Sequence, residues 1–325
     1  MKKTKVSAPA RIHMGILNPT RGVDRRLYGC LGVGVETPRT IVEVEQASDV
    51  YLAAPFAKDY RPVMKKILSH YKLNGARVNV ISTPRPHTGL GSTTQLSLSI
   101  AAGITRAYGI DAKLIELASI LGRGEQSAIG TYVFEYGGFV AEGGWGKKTD
   151  FPPLLFRYSF PEEWRFLIVV PESRSLDETQ EKKIFEKLPV AEDVLVYEAC
   201  YRLLLGIAPA IVERDIQAFG ASLSRLQEIV GTMFSKAQGG VFQPHSAPII
   251  ERLKTMGAVA VGQSSWGPAV YAIFDADTGK SVEAFLVREI LDNSSVKHFG
   301  ASLYGVSKWG EIYFTQADNR GAIMT

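Results

Sequence analysis

A two-domain α+β protein is what this sequence predicts, and three observations carry that reading. The 325 residues exceed the roughly 250–300 at which a single hydrophobic core stops growing. Strand-like and helix-like segments follow one another without the regular alternation of βαβ units. The proline pair Pro152–Pro153 and the turn around Pro161 interrupt the pattern near the middle, placing domains at 1–155 and 156–325.

Val6–Ile12, Leu31–Val35, Thr40–Val44 and Val78–Ser82 read as strands from their β-branched content and turn punctuation. A helix over Arg61–Leu73 intervenes. After the turn-rich Thr83–Pro86, a small-residue stretch from Ser92 to Tyr108 reads as a buried helix ended by Gly109, and Lys113–Leu121 as another. EYGGFVAEGG turns back into strand. The second half reads as a strand at Phe166–Val170, then helices at Asp193–Leu205, Asp215–Val230 and Pro248–Met256. Strands at Val259–Val261 and Ala269–Phe274, a helix at Thr278–Leu291 and a strand at Ser294–Phe299 follow.

Composition bounds the function. With 46% hydrophobic and 22% charged residues the chain has a globular balance. A net charge of +4, from 37 Lys+Arg against 33 Asp+Glu, is too mild to argue for nucleic acid and suits a phosphorylated small substrate. Basic residues gather at Arg21, Arg25 and Arg26 and at Lys147–Lys148, as either solvated faces or anion sites. Cys30 and Cys200 provide no disulfide framework, CxxC or zinc spacing, which suits a reducing cytoplasm. The basic start MKKTKVSAPARIH runs into charge and proline before any apolar stretch, so no leader is expected, and no run approaches the ~20 apolar residues of a membrane span. No membrane or nucleic-acid partner is expected.

The sharpest local feature is His87-Thr88-Gly89-Leu90-Gly91-Ser92-Thr93-Thr94-Gln95 ahead of a helix. Glycines allow close backbone approach, and a helix N-terminus offers free N–H groups and a favourable dipole, so the segment reads as an anion cradle. A capped helix with a glycine-rich entry is the plainer alternative. The hydroxyls of Ser92, Thr93 and Thr94 add donors, and Ser92 is placed to ligate Mg2+ held on phosphate oxygens. Valine at Gly91 is expected to fill the space those oxygens need. Neither the Gly-Lys-Ser/Thr of a nucleotide P-loop nor GxGxxG is present.

Two further segments join this loop: Ser7-Ala8-Pro9-Ala10-Arg11-Ile12-His13-Met14-Gly15-Ile16-Leu17-Asn18 and Val261-Gly262-Gln263-Ser264-Ser265-Trp266-Gly267-Pro268-Ala269-Val270. In order and spacing the three resemble the motifs of the GHMP family of small-molecule kinases and their relatives, over almost the whole chain. The resemblance implies an N-terminal α/β domain of the ribosomal S5 domain 2-like type, carrying the phosphate loop, and a ferredoxin-like C-terminal α+β domain. One departure stands out. Kinases of the family commonly carry Ser-Gly-Val-Asp, six residues, then Gly-Gly; here Ser127-Ala128-Ile129-Gly130 precedes Gly137-Gly138. Glycine stands where the carboxylate would act toward a substrate hydroxyl, with Glu125 and Glu135 nearby as substitutes.

The chain most closely resembles a non-kinase branch, the β-ribofuranosylaminobenzene 5'-phosphate synthases of methanopterin biosynthesis. The residues that carry this are Ala10–Gly15, the loop with Gln95 where kinases have a small residue, and Leu121-Gly122-Arg123-Gly124-Glu125-Gln126-Ser127 continuing to Phe134 and Gly137-Gly138-Phe139. Gly240-Val241-Phe242-Gln243 and the third motif complete it. What this implies is a decarboxylating pentosyltransferase acting on phosphoribosyl pyrophosphate and 4-aminobenzoate or 4-hydroxybenzoate, with Mg2+ and without ATP, pyridoxal phosphate or flavin. A homodimer is expected. The alternative is a GHMP-type kinase or an ATP-dependent decarboxylase.

Within this resemblance Arg11 is expected to hold an anion and His13, on the same strand face, to donate to a leaving or ring substituent. Arg26 is a candidate for the ribose 5-phosphate, with Arg25 behind it, and Arg123 for an anion. Arg11, His13, Arg26 and Arg123 form the expected catalytic set. His87, Thr88, Gly89, Leu90, Gly91, Ser92, Thr93, Gln95, Ser264 and Ser265 form the expected substrate and phosphate set. Trp266 either walls an aromatic substrate or packs in the core.

Overall fold

The strand β1 (Lys3–Asn18) alternates exposed and buried residues at its start and is then enclosed on both faces, the pattern of a strand leaving the sheet edge for the interior. This computed structural model describes residues 3–20, 26–54, 59–172, 178–290 and 296–325. In the first half β1 is followed by β2 (Tyr28–Gln46), β3 (Val50–Ala53), α1 (Arg61–His70), β4 (Ala76–Ser82) and α2 (Ser92–Ala107). Then come α3 (Leu114–Ile120), α4 (Ile129–Tyr136), β5 (Phe139–Glu142) and β6 (Leu154–Tyr158). The second half holds β7 (Arg165–Val170), α5 (Glu178–Lys187), α6 (Asp193–Arg202), α7 (Ala208–Glu213), α8 (Ile216–Gln238) and α9 (Ala247–Thr255). It closes with β8 (Ala260–Gln263), β9 (Val270–Phe274), α10 (Ala276–Phe285), β10 (Lys297–Phe299), β11 (Ser302–Ser307), β12 (Gly310–Thr315) and β13 (Ile323–Met324).

Two sheets result. The first runs β13-β1-β2-β4-β3, with β5 paired to β2 and β6 to β5; the second runs β10-β11-β12-β7-β9-β8. Only β3–β4 is parallel among the pairings described. The expected strands Leu31–Val35 and Thr40–Val44 are one strand, β2, whose pairing with β1 jumps from Pro9↔Arg39 to Ala10↔Val35. Glu36-Thr37-Pro38 bulges out of the ladder, because proline lacks the N–H that pairing needs. The expected partition at residue 155 falls inside β6, which stays in the first sheet, and β13 returns there from the far end of the chain. A hydrophobic cluster of β1, β2, α4, β7, α6 and α8 residues, including Ile12, Val33, Val133, Ile168, Ala199 and Leu226, is continuous through both halves.

The segment Asp193–Glu213 is long and apolar enough by composition to cross a membrane, which the sequence reading did not anticipate. A π-helical turn at Leu203–Ile207 joins α6 to α7. Val196, Ala199, Leu203, Ile207 and Ile211 face inward and are buried in the core, so the run is a packed surface helix with one apolar face turned outward.

Candidate active site

Three segments far apart in sequence converge on one carbonyl. Gly89 O accepts a hydrogen bond from Arg11 Nη1 at 2.6 Å and another from Ser264 Oγ at 2.6 Å. The Ser264 hydroxyl in turn accepts from the His13 backbone N–H at 3.0 Å. Backbone bonds lock the same junction, from Arg11 N to Leu90 O and from Ala269 N to Thr88 O, both 3.1 Å. Gly89 has φ +89°, and a Cβ there would overlap the Ser264 carbonyl oxygen. A glycine is therefore required on both conformational and steric grounds.

Gly91 caps α2 with φ +74° and no side-chain cap, leaving the first N–H groups of the helix open to an acceptor. A Cβ on Gly91 would lie 2.7 Å from Arg11 Cγ and 3.2 Å from its Nε. The expectation that valine here would occupy ligand space is thus corrected: it would first strike Arg11, which lies over the loop. His87 and Ser265 take left-handed conformations, φ 61° and 57°, which non-glycine residues adopt only where surrounding structure enforces them.

Beside this junction lies a cavity of about 440 Å³. Arg11, His13 and Ile16 reach it from β1, Thr94 from α2, and Arg123, Glu125, Gln126 and Ser127 from the loop before α4. Glu181, Lys182 and Phe185 come from α5, Gln227, Val230, Phe234 and Gln238 from α8, and Ser265 and Trp266 from the third motif. Phe185, Phe234 and Trp266 pack edge to face, with centroids 5.6 Å apart for Phe185–Phe234, 6.0 Å for Phe185–Trp266 and 4.8 Å for Phe234–Trp266. Glutamines frame the wall. Gln227 donates to Met14 O at 2.5 Å and accepts from Gln263 N at 3.1 Å, and Gln243 donates to Trp266 O at 3.1 Å.

Electrostatics follow from burial. Desolvation lowers the Arg11 guanidinium to about 10, partly opposed by Glu181, so Arg11 is charged at neutral pH. His13 falls to about 3, through desolvation first and the Arg11 charge second, and is a neutral imidazole. It can donate one ring N–H or accept at the other nitrogen, but carries no positive charge. Close by, the fully buried Glu142 accepts from Gly144 N at 2.5 Å, and burial raises both its carboxyl and the Cys30 thiol.

The structure brings Arg11, His13, Arg123 and Ser265 of the expected set to the cavity, with Trp266. It puts Arg26 elsewhere: its guanidinium donates to Gly143 O at 2.5 Å, Gly144 O at 2.8 Å and Thr149 Oγ1 at 3.2 Å, pinning the β5–β6 connection. Arg21 and Arg25 lie outside the described residues. Ser264 has its hydroxyl committed between Gly89 and His13. Thr88 and Ser92 hydroxyls both donate to Arg85 O, at 2.9 and 3.2 Å. Gln95 donates to Gly130 O at 2.8 Å, and Leu90 is buried in the core. His87, Gly89, Gly91 and Thr93 shape the loop without lining the cavity; Thr94 lines it. Of the two substitute carboxylates, Glu125 lines the cavity and Glu135 is exposed on α4.

Among the described residues no group of three or more His, Cys, Asp or Glu side chains could hold a metal ion. Ser92 is buried with its proton on a backbone carbonyl, a poor ligand for a cation that prefers carboxylates, phosphates and water. The described side chains by themselves therefore do not fit a resident Mg2+.

Sequence reasoning missed the α5 and α8 contributions. The sequence reading gives no helix over Glu178–Lys187 and assigns α8 no side that faces a site. Gly240-Val241-Phe242-Gln243 was the available signal, since Val241 and Phe242 line the cavity.

Comparison with known proteins shows the family and the fold. Residues 57–138 match the family described as GHMP kinases N terminal domain, and residues 207–293 the one described as GHMP kinases C terminal. The β-ribofuranosylphenol 5'-phosphate synthase of Methanothermobacter thermautotrophicus is 33% identical, covering 98% of each chain. Its namesake from Methanocaldococcus jannaschii is 30% identical over 97% of this chain and 98% of its own. Among solved structures, a mevalonate pyrophosphate decarboxylase from Streptococcus pyogenes superposes with TM-score 0.71 at 11% identity, covering 98% of this chain and 97% of its own. A homoserine kinase from Cytophaga hutchinsonii gives 0.67 at 18%, covering 100% and 98%. These two share the fold. With the identity to the archaeal synthases running the length of the chain, the protein belongs to the β-ribofuranosylphenol 5'-phosphate synthase family, within the GHMP kinase fold.

Proposed function

We propose that the cavity joins the anomeric carbon of phosphoribosyl pyrophosphate to the carboxylate-bearing ring carbon of 4-hydroxybenzoate, releasing CO2 and pyrophosphate. The observation that carries this reading is the composition of the cavity lining, in which Arg11, Arg123 and Lys182 offer positive charge and Phe185, Phe234 and Trp266 form an aromatic trio. A kinase for a small alcohol needs no aromatic cage, and Gly130 lacks the carboxylate that would act toward one.

The electron count closes without a redox partner. The C1–O bond breaks with its pair to pyrophosphate, ring π electrons form the C–C bond, and the C–CO2 bond returns its pair to the ring. The para hydroxyl donates density to the attacking carbon, so no electron-sink cofactor is required. Arg11 stabilises the departing anion in a desolvated setting where its charge acts strongly. The aromatic walls align the ring and exclude water from a cationic sugar. Neutral His13 orients a polar substituent by hydrogen bonding. Mg2+ would arrive as the counterion of the substrate's own pyrophosphate and not as a resident metal; Glu125 and Glu181 are the carboxylates that line the cavity. Free Cys30 and Cys200 suit a cytoplasmic setting.

The phenol acid is favoured over 4-aminobenzoate because the relatives are named for a ribofuranosylphenol phosphate, which is 4-hydroxybenzoate less its carboxylate, joined to ribose phosphate. The test is purified protein with phosphoribosyl pyrophosphate, Mg2+ and each acid labelled at the carboxyl and in the ring. Labelled CO2 and a phenol C-riboside are expected. Preferential turnover of 4-aminobenzoate would reassign the ring substrate, and ATP-dependent phosphorylation of an alcohol without CO2 release would overturn the reading.

A further inference from the structure

We infer that Trp145 is a positioning residue for the reaction proposed above: from outside the cavity it fixes the loop that carries Arg123, and so sets where that charge stands against phosphoribosyl pyrophosphate. All six residues of this loop, 122–127, line the cavity. Its backbone is tied at both ends. At the start, Gly122 takes φ +66° and Arg123 N donates to Ala118 O at 2.8 Å, closing the C-terminus of α3. At the end, Ser127 Oγ accepts from Ile129 N at 3.3 Å, and the buried Glu142 carboxylate, bonded to Gly144 N, faces the Ala128 N–H at the entry of α4. The middle depends on Gly124, a residue type with little restraint of its own, here at φ +96°. Trp145 Nε1 donates to the Gly124 carbonyl at 3.1 Å. The Phe151 ring covers the same glycine, where a Cβ would lie 2.6 Å from Phe151 Cε2. The other tie in the middle is weak, a thiol of Cys30 donating to Gln126 O at 3.7 Å.

The backbone of Trp145 is itself held in place. It exchanges both of its hydrogen bonds with Leu27, 2.8 Å each, within the connection that Arg26 pins. Trp145 does not line the cavity, so its indole acts on the substrate only through the loop. Phosphoribosyl pyrophosphate carries two separate anionic groups. Arg11 meets one from β1, and Arg123, on a different element, supplies charge for the other. A misplacement of about 1 Å is enough to weaken such a contact severely. The aromatic trio Phe185, Phe234 and Trp266 stands on α5, α8 and the third motif, whereas the hydrogen bonds of Trp145 go to Gly124 and Leu27. Releasing the loop therefore disturbs the sugar phosphate and leaves the ring substrate seated.

Trp145→Phe keeps an aromatic ring and removes the one N–H, and the full ligand-free chain gives the first readout. By hydrogen exchange, the backbone of residues 122–128 is expected to exchange about three- to tenfold faster than in the wild type, with β5 and α8 unchanged. In steady-state kinetics the KM for phosphoribosyl pyrophosphate should rise about three- to tenfold, while kcat and the KM for 4-hydroxybenzoate stay as in the wild type. In an Arg123→Ala background the same substitution should add no further loss. Should Trp145→Phe fail to fold, Gly124→Ala is the second variant: it leaves the indole in place, drives the loop off it through the contact with Phe151, and should give the same pattern. Unchanged loop exchange in folded Trp145→Phe, an equal rise in both KM values, or a further loss in the Arg123→Ala background would each overturn the inference. A wild type that binds no phosphoribosyl pyrophosphate would overturn the proposed reaction instead, and loop exchange would then decide the fastening by itself.

Discussion

Gln95 donates its side-chain amide to the Gly130 carbonyl at 2.8 Å, with Gln95 almost fully buried. The two positions at which this chain departs from the kinase pattern are therefore one structural unit. The glutamine holds the first turn of α4 against α2, where a kinase would place a carboxylate.

Gln95→Leu removes that donor and strands a buried carbonyl. The expected loss is about 1–3 kcal/mol, read from urea unfolding at neutral pH. An unchanged midpoint would show that water replaces the amide.

Gly130→Ala separates steric from electrostatic effects. A Cβ there would sit 3.0 Å from Thr94 Cγ2 and 3.2 Å from its Cβ, and Thr94 lines the cavity. Alanine is expected to cost about 1–3 kcal/mol of stability through overpacking and to slow turnover by moving Thr94. Gly130→Asp should add a further rise in KM for the aromatic acid by charge repulsion, without creating ATP-dependent kinase activity. Equal KM values for the Ala and Asp variants would place the benzoate away from this position.

Gly91→Val is expected to raise the KM for phosphoribosyl pyrophosphate while far-UV circular dichroism stays native, because the new side chain displaces Arg11. The mechanism is checked by a double-mutant cycle with Arg11→Ala. If Arg11 is the intermediary, the two losses will be strongly non-additive; simple additivity would mean that valine meets the ligand directly.

His13 carries a pH signature. Its folded pKa of about 3 lies below the ordinary 6.5, so between these values the unfolded chain binds the extra proton and stability falls as pH drops. Above about pH 6.5 the contribution is fully present. Relative to His13→Asn, the wild type should lose about 2–3 kcal/mol more between about pH 7.5 and pH 4.5, measured by chemical denaturation at each pH. Parallel curves for the two proteins would mean His13 is solvated.

Chelator should divide activity from stability. Turnover is expected to stop in excess EDTA and return with Mg2+, because pyrophosphate leaves as a highly charged anion. The thermal midpoint of the ligand-free protein should not move, since no metal cluster is found among the described residues. A drop in that midpoint would reveal a resident metal.

The sequence by itself determined the α+β class, the GHMP-type organisation and the strand–loop–helix setting of Arg11, His13 and the Gly89–Gln95 loop. The class and the loop setting follow from local causes, residue period and glycine placement, and the GHMP-type organisation from the resemblance that three short motifs carry. It could not determine which loop residues meet a ligand. Ser92, Thr88 and Ser264 look like donors in sequence, but Thr88 and Ser92 turn their hydroxyls back onto the Arg85 carbonyl of their own loop, and Ser264 gives its hydroxyl to the Gly89 carbonyl from the other half of the chain. Arg26 reads as a phosphate ligand until the β5–β6 connection folds over it. The aromatic wall depends on Phe185 of α5, Phe234 of α8 and Trp266 of the third motif meeting across long stretches of intervening chain, and no local signal encodes such a meeting. Only tertiary packing decided these assignments, because a polar group's availability depends on the partners that burial brings to it.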